Sequence, residues 1–261
     1  MHEKTKFYIF LIAIIALLIA VLWMKKIYSP QYYYANRKLQ LDFSNKKSLP
    51  DEKKTFIIKI VRGAQLSNDK ILKERVLLEK IKRQYQQRQK IYVSTREQME
   101  KLMKKYAVKI NEKRKEEDEI ERVLEELDMR VQIVPVRLAV AQAIIESAWG
   151  NSRFAKQGHA YFGIHCYQPG CGIPFGSVEK KVYVKSYKNL QASIEDYMLF
   201  LNSMRATRKF REVRKDYLSS STKNIIHLAE SLTAYSEIGG EYHQILAALF
   251  KKNIPNHIED Y

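Results

Sequence analysis

Two cysteines, Cys166 and Cys171, are all that this 261-residue chain contains, so any sulfur chemistry must pass between them. No phosphate loop, dinucleotide fingerprint or Ser-His-Asp constellation stands out, which removes the common nucleotide-dependent and serine-hydrolase readings. Zinc-finger and RNA-recognition motifs are missing too. Acidic residues are scarce beside basic ones: 29 Asp and Glu face 46 Lys and Arg, and the net charge of +17 attracts polyanions over long range. Several polyanions qualify, and nucleic acid is disfavoured because no motif accompanies the charge.

Charge itself is absent from residues 7–24. At about 1.5 Å per residue this run reaches about 27 Å, close to the thickness of a hydrocarbon core. Lys4 and Lys6 precede it, and Leu22-Trp23-Met24-Lys25-Lys26 is a poor cleavage site. The run therefore reads as an uncleaved single-pass signal anchor, with a cleaved signal peptide as the rival. Lys25, Lys26, Arg37 and Lys38 favour a cytoplasmic body by the positive-inside rule. Large soluble domains, however, translocate largely regardless of charge.

Residues 25–54, rich in Tyr and basic side chains and broken by Pro30 and Pro50, read as a juxtamembrane linker. Over 55–130 the composition shifts to Lys, Glu, Gln, Arg and Leu, without proline and with Gly63 as the single glycine. Ile71, Leu72, Val76, Leu77, Ile81 and Tyr85 recur at helical spacing. Ser94 with Glu97 resembles a helix start, and the basic run 113–115 precedes acidic residues placed to pair with it. The spacing is not a clean heptad, so packed helices are favoured over a coiled-coil spacer or dimerisation arm.

The stretch from Pro135 to Ala148 predicts an apolar helix with a single carboxylate, Glu146, near its end and Gly150 placed to stop it. A buried ionised acid costs free energy. Beside Trp149 and aliphatic neighbours its pKa should be raised, which suits a general acid; the plain alternative is a paired or surface Glu.

The words Ala141-Gln142-Ala143-Ile144-Ile145-Glu146-Ser147-Ala148-Trp149-Gly150 resemble the catalytic-helix signature of the bacterial endo-β-N-acetylglucosaminidase family. Arg130 to Pro135 before it resemble the Bax-type members, and Asn151 to Ala155 and Tyr161 to Cys166 continue the match. The resemblance implies a mainly α (α+β) fold: a lysozyme-like helical domain with a small β-hairpin lobe, preceded by a helical segment and the transmembrane helix. The domains would be 1–24, 25–54, 55–130 and a catalytic 131–255. It also implies cleavage of peptidoglycan glycan strands after N-acetylglucosamine, with Glu146 as the acid and no cofactor. Such an enzyme works on the extracytoplasmic face of the inner membrane, where anionic headgroups and wall polymers suit the positive charge.

Glycoside hydrolysis usually needs a second group across the sugar ring. Glu179, before the alternating strand pattern at 182–186, is one candidate, and its plain reading is an exposed Glu beside Lys180 and Lys181. Otherwise the substrate's own acetamido group serves as nucleophile. Tyr235 resembles the family's tyrosine that would reach into the cleft, with Tyr242 near the second Tyr of that motif; the plain reading of Tyr235 is a core aromatic. Ser236 to Gly240 depart from the family's wording. Trp149 and Phe162 pack beneath the acid or offer faces to sugar rings. Cys166 and Cys171 can close a small loop around Pro169-Gly170, and export would oxidise them. The rival is a zinc site with His159 and His165, whose spacing matches no common motif. Asn189 is placed to cap a helix carrying Ile194, Tyr197, Met198 and Leu201, and two more helices follow near 224–233 and 242–252. Two other functional readings share these residues: a lytic transglycosylase, and a wall-binding protein without catalysis.

Overall fold

Pro50 gives way to α1 (Asp51–Arg88), whose first turn carries Asp51 and Glu52 against the positive end of the helix dipole. The computed structural model describes residues 41–46, 48–176, 181–232, 242–256 and 258. The apolar run 7–24, Glu179 and Tyr235 lie outside these residues. Among the described residues no helix is long and apolar enough to cross a membrane.

After α1 come α2 (Val93–Lys105), α3 (Glu116–Arg130), α4 (Val136–Ser147) and the short α5 (Arg153–Gly158). Three strands follow: β1 (His165–Cys166), β2 (Gly172–Pro174) and β3 (Tyr183–Lys185). The chain then forms α6 (Leu190–Ser203), α7 (Arg208–Ser219), α8 (Ile225–Glu230) and α9 (Tyr242–Lys252). Among the described residues the fold is mainly helical with one small sheet, and residues 41–261 cluster as one compact unit.

Helix α4 is buried on nearly every side, from Val136 and Leu138 through Ile144 to Ser147, which marks it as the core helix. Its main neighbour is α1, with α8 and α9 on other sides. Helix α1 turns Ile57, Ile60, Val61 and Ala64 inward, and also packs against α6. That approach depends on Gly63, where a Cβ would lie 2.4 Å from Ile194 Cδ1. Buried Asn68 adds a reciprocal amide pair: its Nδ2 donates to Val134 O at 2.8 Å, and Val134 N donates to its Oδ1 at 3.0 Å.

The opposite side of the same 131–134 segment is held by Arg214 of α7. This fully buried guanidinium donates to Ile133 O at 3.2 Å, Met129 O at 2.8 Å and Asn202 Oδ1, while Asn202 Nδ2 donates to Gln132 O. Burial, with the nearby Arg211 charge, pushes Arg214 down to about 9. Arg211, also buried, donates to Leu201 O and Met204 O at the end of α6. Cations at these carbonyl-rich helix ends meet partial negative charge, which offsets part of their desolvation cost.

The sheet runs in the order β1-β3-β2, antiparallel throughout, with His165 opposite Val184 and Ile173 opposite the same residue. A three-stranded sheet thus stands where a small hairpin or sheet was expected. Its outer strands do not pair with each other, and the Cys166–Cys171 disulfide joins them across a Cα separation of 6.3 Å.

Several local expectations hold. Asn189 caps α6 by accepting from Ala192 N at 2.9 Å, and a helix, α8, begins after Asn224 as its position near 224–233 suggested. Others change. Ser94 is not a cap, because α2 already begins at Val93 and Thr95 makes the local bond to Tyr92 O. Val76, placed by spacing on the apolar face, is 72% exposed. Helix α7 was not marked by its pattern, since two of its buried positions are arginines.

Candidate active site

Glu146 is the penultimate residue of α4, and its side chain is part-exposed where the helix leaves the core. Ser147 ends the helix from within: its hydroxyl donates to Ala143 O and accepts from Gly150 N at 2.8 Å. Three consecutive left-handed residues follow, Ala148 (φ 49°), Trp149 (φ 61°) and Gly150 (φ 79°). The stop thus precedes Gly150, which completes the turn rather than starting it. Ser152 N then bonds back to Ser147 O at 2.9 Å, and Ser152 caps α5 through Ala155 N. Non-glycine residues in this region each cost about 1–2 kcal/mol, and such strain often marks a working site.

Across from the acid lies Gly163, with φ of +62°. A Cβ there would sit 3.0 Å from Glu146 Oε2, so only a hydrogen fits without moving the carboxyl. The neighbouring residues of the Phe162-Gly163-Ile164 word have complementary tasks. Phe162 is 1% exposed and stacks on Tyr197 with centroids 4.0 Å apart, and Ile164 is buried. Phe162 is therefore a core ring that anchors the strand-like segment, not a face offered to a sugar.

Tyr242 is corrected in the same way. It is 1% exposed, and its hydroxyl accepts from Gln142 Nε2, one helical turn before Glu146. Trp149 is only part-buried. Its ring meets Phe56 edge-on at 6.0 Å, and the Lys53 ammonium lies 4.6 Å above it. Phe56 also approaches Tyr161 at 6.3 Å and closes over the Gly150 turn. Burial raises the Tyr161 hydroxyl above its ordinary range, so it stays a neutral donor at any working pH.

Lys53 and Phe56 escape motif reading, whereas Gly163 lies within the matched word and only its closeness to the Glu146 carboxyl is new. Phe56 lies more than ninety residues before Trp149, and nothing local signals that α1 will reach the turn after the acid. Cys166 and Cys171 are bonded to each other and hold no thiolate for a metal. Among the described residues no group of three or more His, Cys, Asp or Glu could hold a metal ion.

The sequence pattern of the glucosaminidase family, described as mannosyl-glycoprotein endo-beta-N-acetylglucosaminidase, matches residues 121–254, just over half of the chain. The chain belongs to the glucosaminidase family. Glu146, the left-handed turn and Gly163 all fall within the matched span. The chain is also similar to the protein Bax of Escherichia coli (strain K12), at 30% identity over 128 residues, covering 48% of this chain and 44% of Bax. It thus spans under half the length of that relative, and no solved structure matches it. Helix α1 lies wholly before the glucosaminidase match, yet it supplies Asn68 behind the acid's helix and Phe56 beside its turn.

Proposed function

We propose that this protein is a peptidoglycan glycosidase that hydrolyses the β-1,4 bond after N-acetylglucosamine, with Glu146 as general acid. The observation that carries the reading is the Glu146 carboxyl at the mouth of a buried helix, facing a glycine that leaves room for it. Glu146 gives its proton to the bridging oxygen as the glycosidic bond breaks. The helical body with its small sheet is read as lysozyme-like, the lobe carrying one wall of the glycan cleft.

Glu179 or the substrate's acetamido group completes the displacement, and Tyr235 positions the acetamido group or water. Supporting the Tyr235 role, Tyr242, seven residues later, is tied to Gln142 on the same face of α4 as Glu146. The enzyme is exported and held by 7–24 as a single-pass anchor at the inner membrane. The Cys166–Cys171 bond supports export, because cytosolic thiols stay reduced.

Digestion of purified sacculi tests the reading. The wild-type chain should release fragments with reducing N-acetylglucosamine ends in mass spectra, and Glu146→Gln should release none. A 1,6-anhydro-muramyl product instead assigns transglycosylation without water. Sacculus binding with no lysis by either form leaves a wall-binding protein and ends the enzymatic reading.

A further inference from the structure

We propose that the C-terminal half of α1, with the start of α2, is a docking surface for an anionic lipid bilayer. Along α1, Ile71, Leu78, Ile81 and Tyr85 face the core, and Lys73, Val76, Lys80 and Arg83 recur on the opposite, exposed face. The helix ends in a left-handed Gln89, buried Ile91 pins the turn, and Tyr92 emerges beside the same face, followed by exposed Val93. A groove of about 510 Å³ joins the two parts, lined by Val76, Lys80, Arg83 and Tyr92 among others, with no acidic residue among the described ones that line it.

Two features distinguish this face from ordinary charged surface. First, Lys73, Lys80, Arg83 and Arg88 make no ion pair among the described residues. On the neighbouring face, by contrast, Arg75 and Lys82 are engaged by Glu79 and Asp128. The uncompensated charge has one sign and one direction. Second, Val76 is 72% exposed and Tyr92 41%, both lining the groove beside Lys80, Arg83 and Arg88, and Val93, the next residue after Tyr92, is 87% exposed. Scattered exposed aliphatics need no explanation, whereas aliphatics and a tyrosine ringed by unpaired cations form an amphipathic face.

Charge complementarity alone would suit a soluble anionic polymer as well as a membrane. The apolar residues decide between them. A hydrated polymer gains nothing from Val76 and Val93, whereas a bilayer interface takes the cations at its headgroups and the apolar groups just below. Tyrosine is at home at that depth. The face stands independently of the glycosidase reading. It lies about 40 Å along α1 from Phe56, so α1 would act as a strut between docked surface and acid site.

The test uses the 41–261 unit, which has its own core. It is sedimented with phosphatidylcholine vesicles that do or do not contain phosphatidylglycerol, at low and high salt. Partitioning should require phosphatidylglycerol and weaken with salt. Lys80→Ala with Arg83→Ala should lower the partition coefficient about thirty-fold, near five-fold per cation. Val76→Ser with Val93→Ser should lower it about ten-fold while leaving adsorption to lipid-free sacculi unchanged. All four side chains are exposed, so thermal melts should match the wild type. Absent vesicle binding, or variants that partition like wild type, overturns the proposal. So does sacculus adsorption that falls with the cation pair while the valine pair has no effect on vesicles, since that pattern identifies a polymer-binding face.

Discussion

Replacing Gly163 with alanine separates two contributions that meet at one position. The residue has φ of +62°, where an alanine costs about 1–2 kcal/mol of stability. Its Cβ would also lie 3.0 Å from Glu146 Oε2, tighter than ordinary van der Waals contact, so the carboxyl must retreat by a few tenths of an ångström. That retreat is cheap for folding, because a carboxyl is the far end of a flexible side chain. Under the proposed role of Glu146 as general acid it is costly for catalysis: an ångström of misplacement costs on the order of a hundred-fold, so a fraction of that predicts roughly a ten-fold loss in kcat. Urea unfolding and initial rates on solubilised glycan strands would measure the two effects side by side. Gly163→Asn is the control, since asparagine tolerates the left-handed region but keeps the Cβ. Stability should largely return in the Asn variant while kcat stays low. An alanine variant that loses stability yet keeps full kcat would refute the claim that this contact sets the acid's position.

The remaining predictions concern how the acid's helix is held. A chain beginning at residue 131 loses α1, leaving the core without Ile57, Ile60, Val61 and Leu78; at about 1.5–3 kcal/mol for each such side chain the loss is comparable to the whole stability of an ordinary domain. It should give no cooperative melt by circular dichroism, and a cooperative melt would show that α1 is dispensable. Arg214→Met should cost about 3–5 kcal/mol in urea unfolding by stranding the carbonyls of Met129 and Ile133. Arg214→Lys should recover little of that, because one ammonium cannot reproduce the planar fork, so wild-type stability in the Lys variant would contradict the staple. Glu119 accepts from Arg122 and from Asn111 N, which holds its carboxyl down to about 2 from the ordinary 4.5. A depressed carboxylate stabilises above its unfolded value, so this contribution is intact above pH 4.5 and lost as pH falls toward 2. Glu119→Gln should flatten the pH dependence of Tm in that window, and an unchanged slope would sink the assignment.

What could be read from the sequence was local. The helix carrying Glu146 is apolar all round, so its identity as a core helix did not depend on knowing its neighbours. Asn189 signals its cap within three residues, and Cys166 and Cys171 are too close in sequence to need a fold to bring them together. The words around Glu146 also encode a helix stop and turn through Ser147, Gly150 and Ser152, all bonded within a few residues of one another.

The rest was decided by tertiary packing. Phe162 and Tyr242 could have faced a ligand on any sequence argument, and only the stack on Tyr197 and the bond from Gln142 turn them inward. Arg211 and Arg214 belong by type to a surface, and become interior because the ends of α3 and α6 present carbonyls that need donors. Val76 fits the apolar spacing of α1 but lies outside, because a 38-residue helix drifts relative to any fixed stripe and its partners cover only one side. Phe56 and Lys53 reach the turn after Glu146 for the same long-range reason: the chain determined that α1 and α4 are helices, and their packing against each other determined which residues surround the acid.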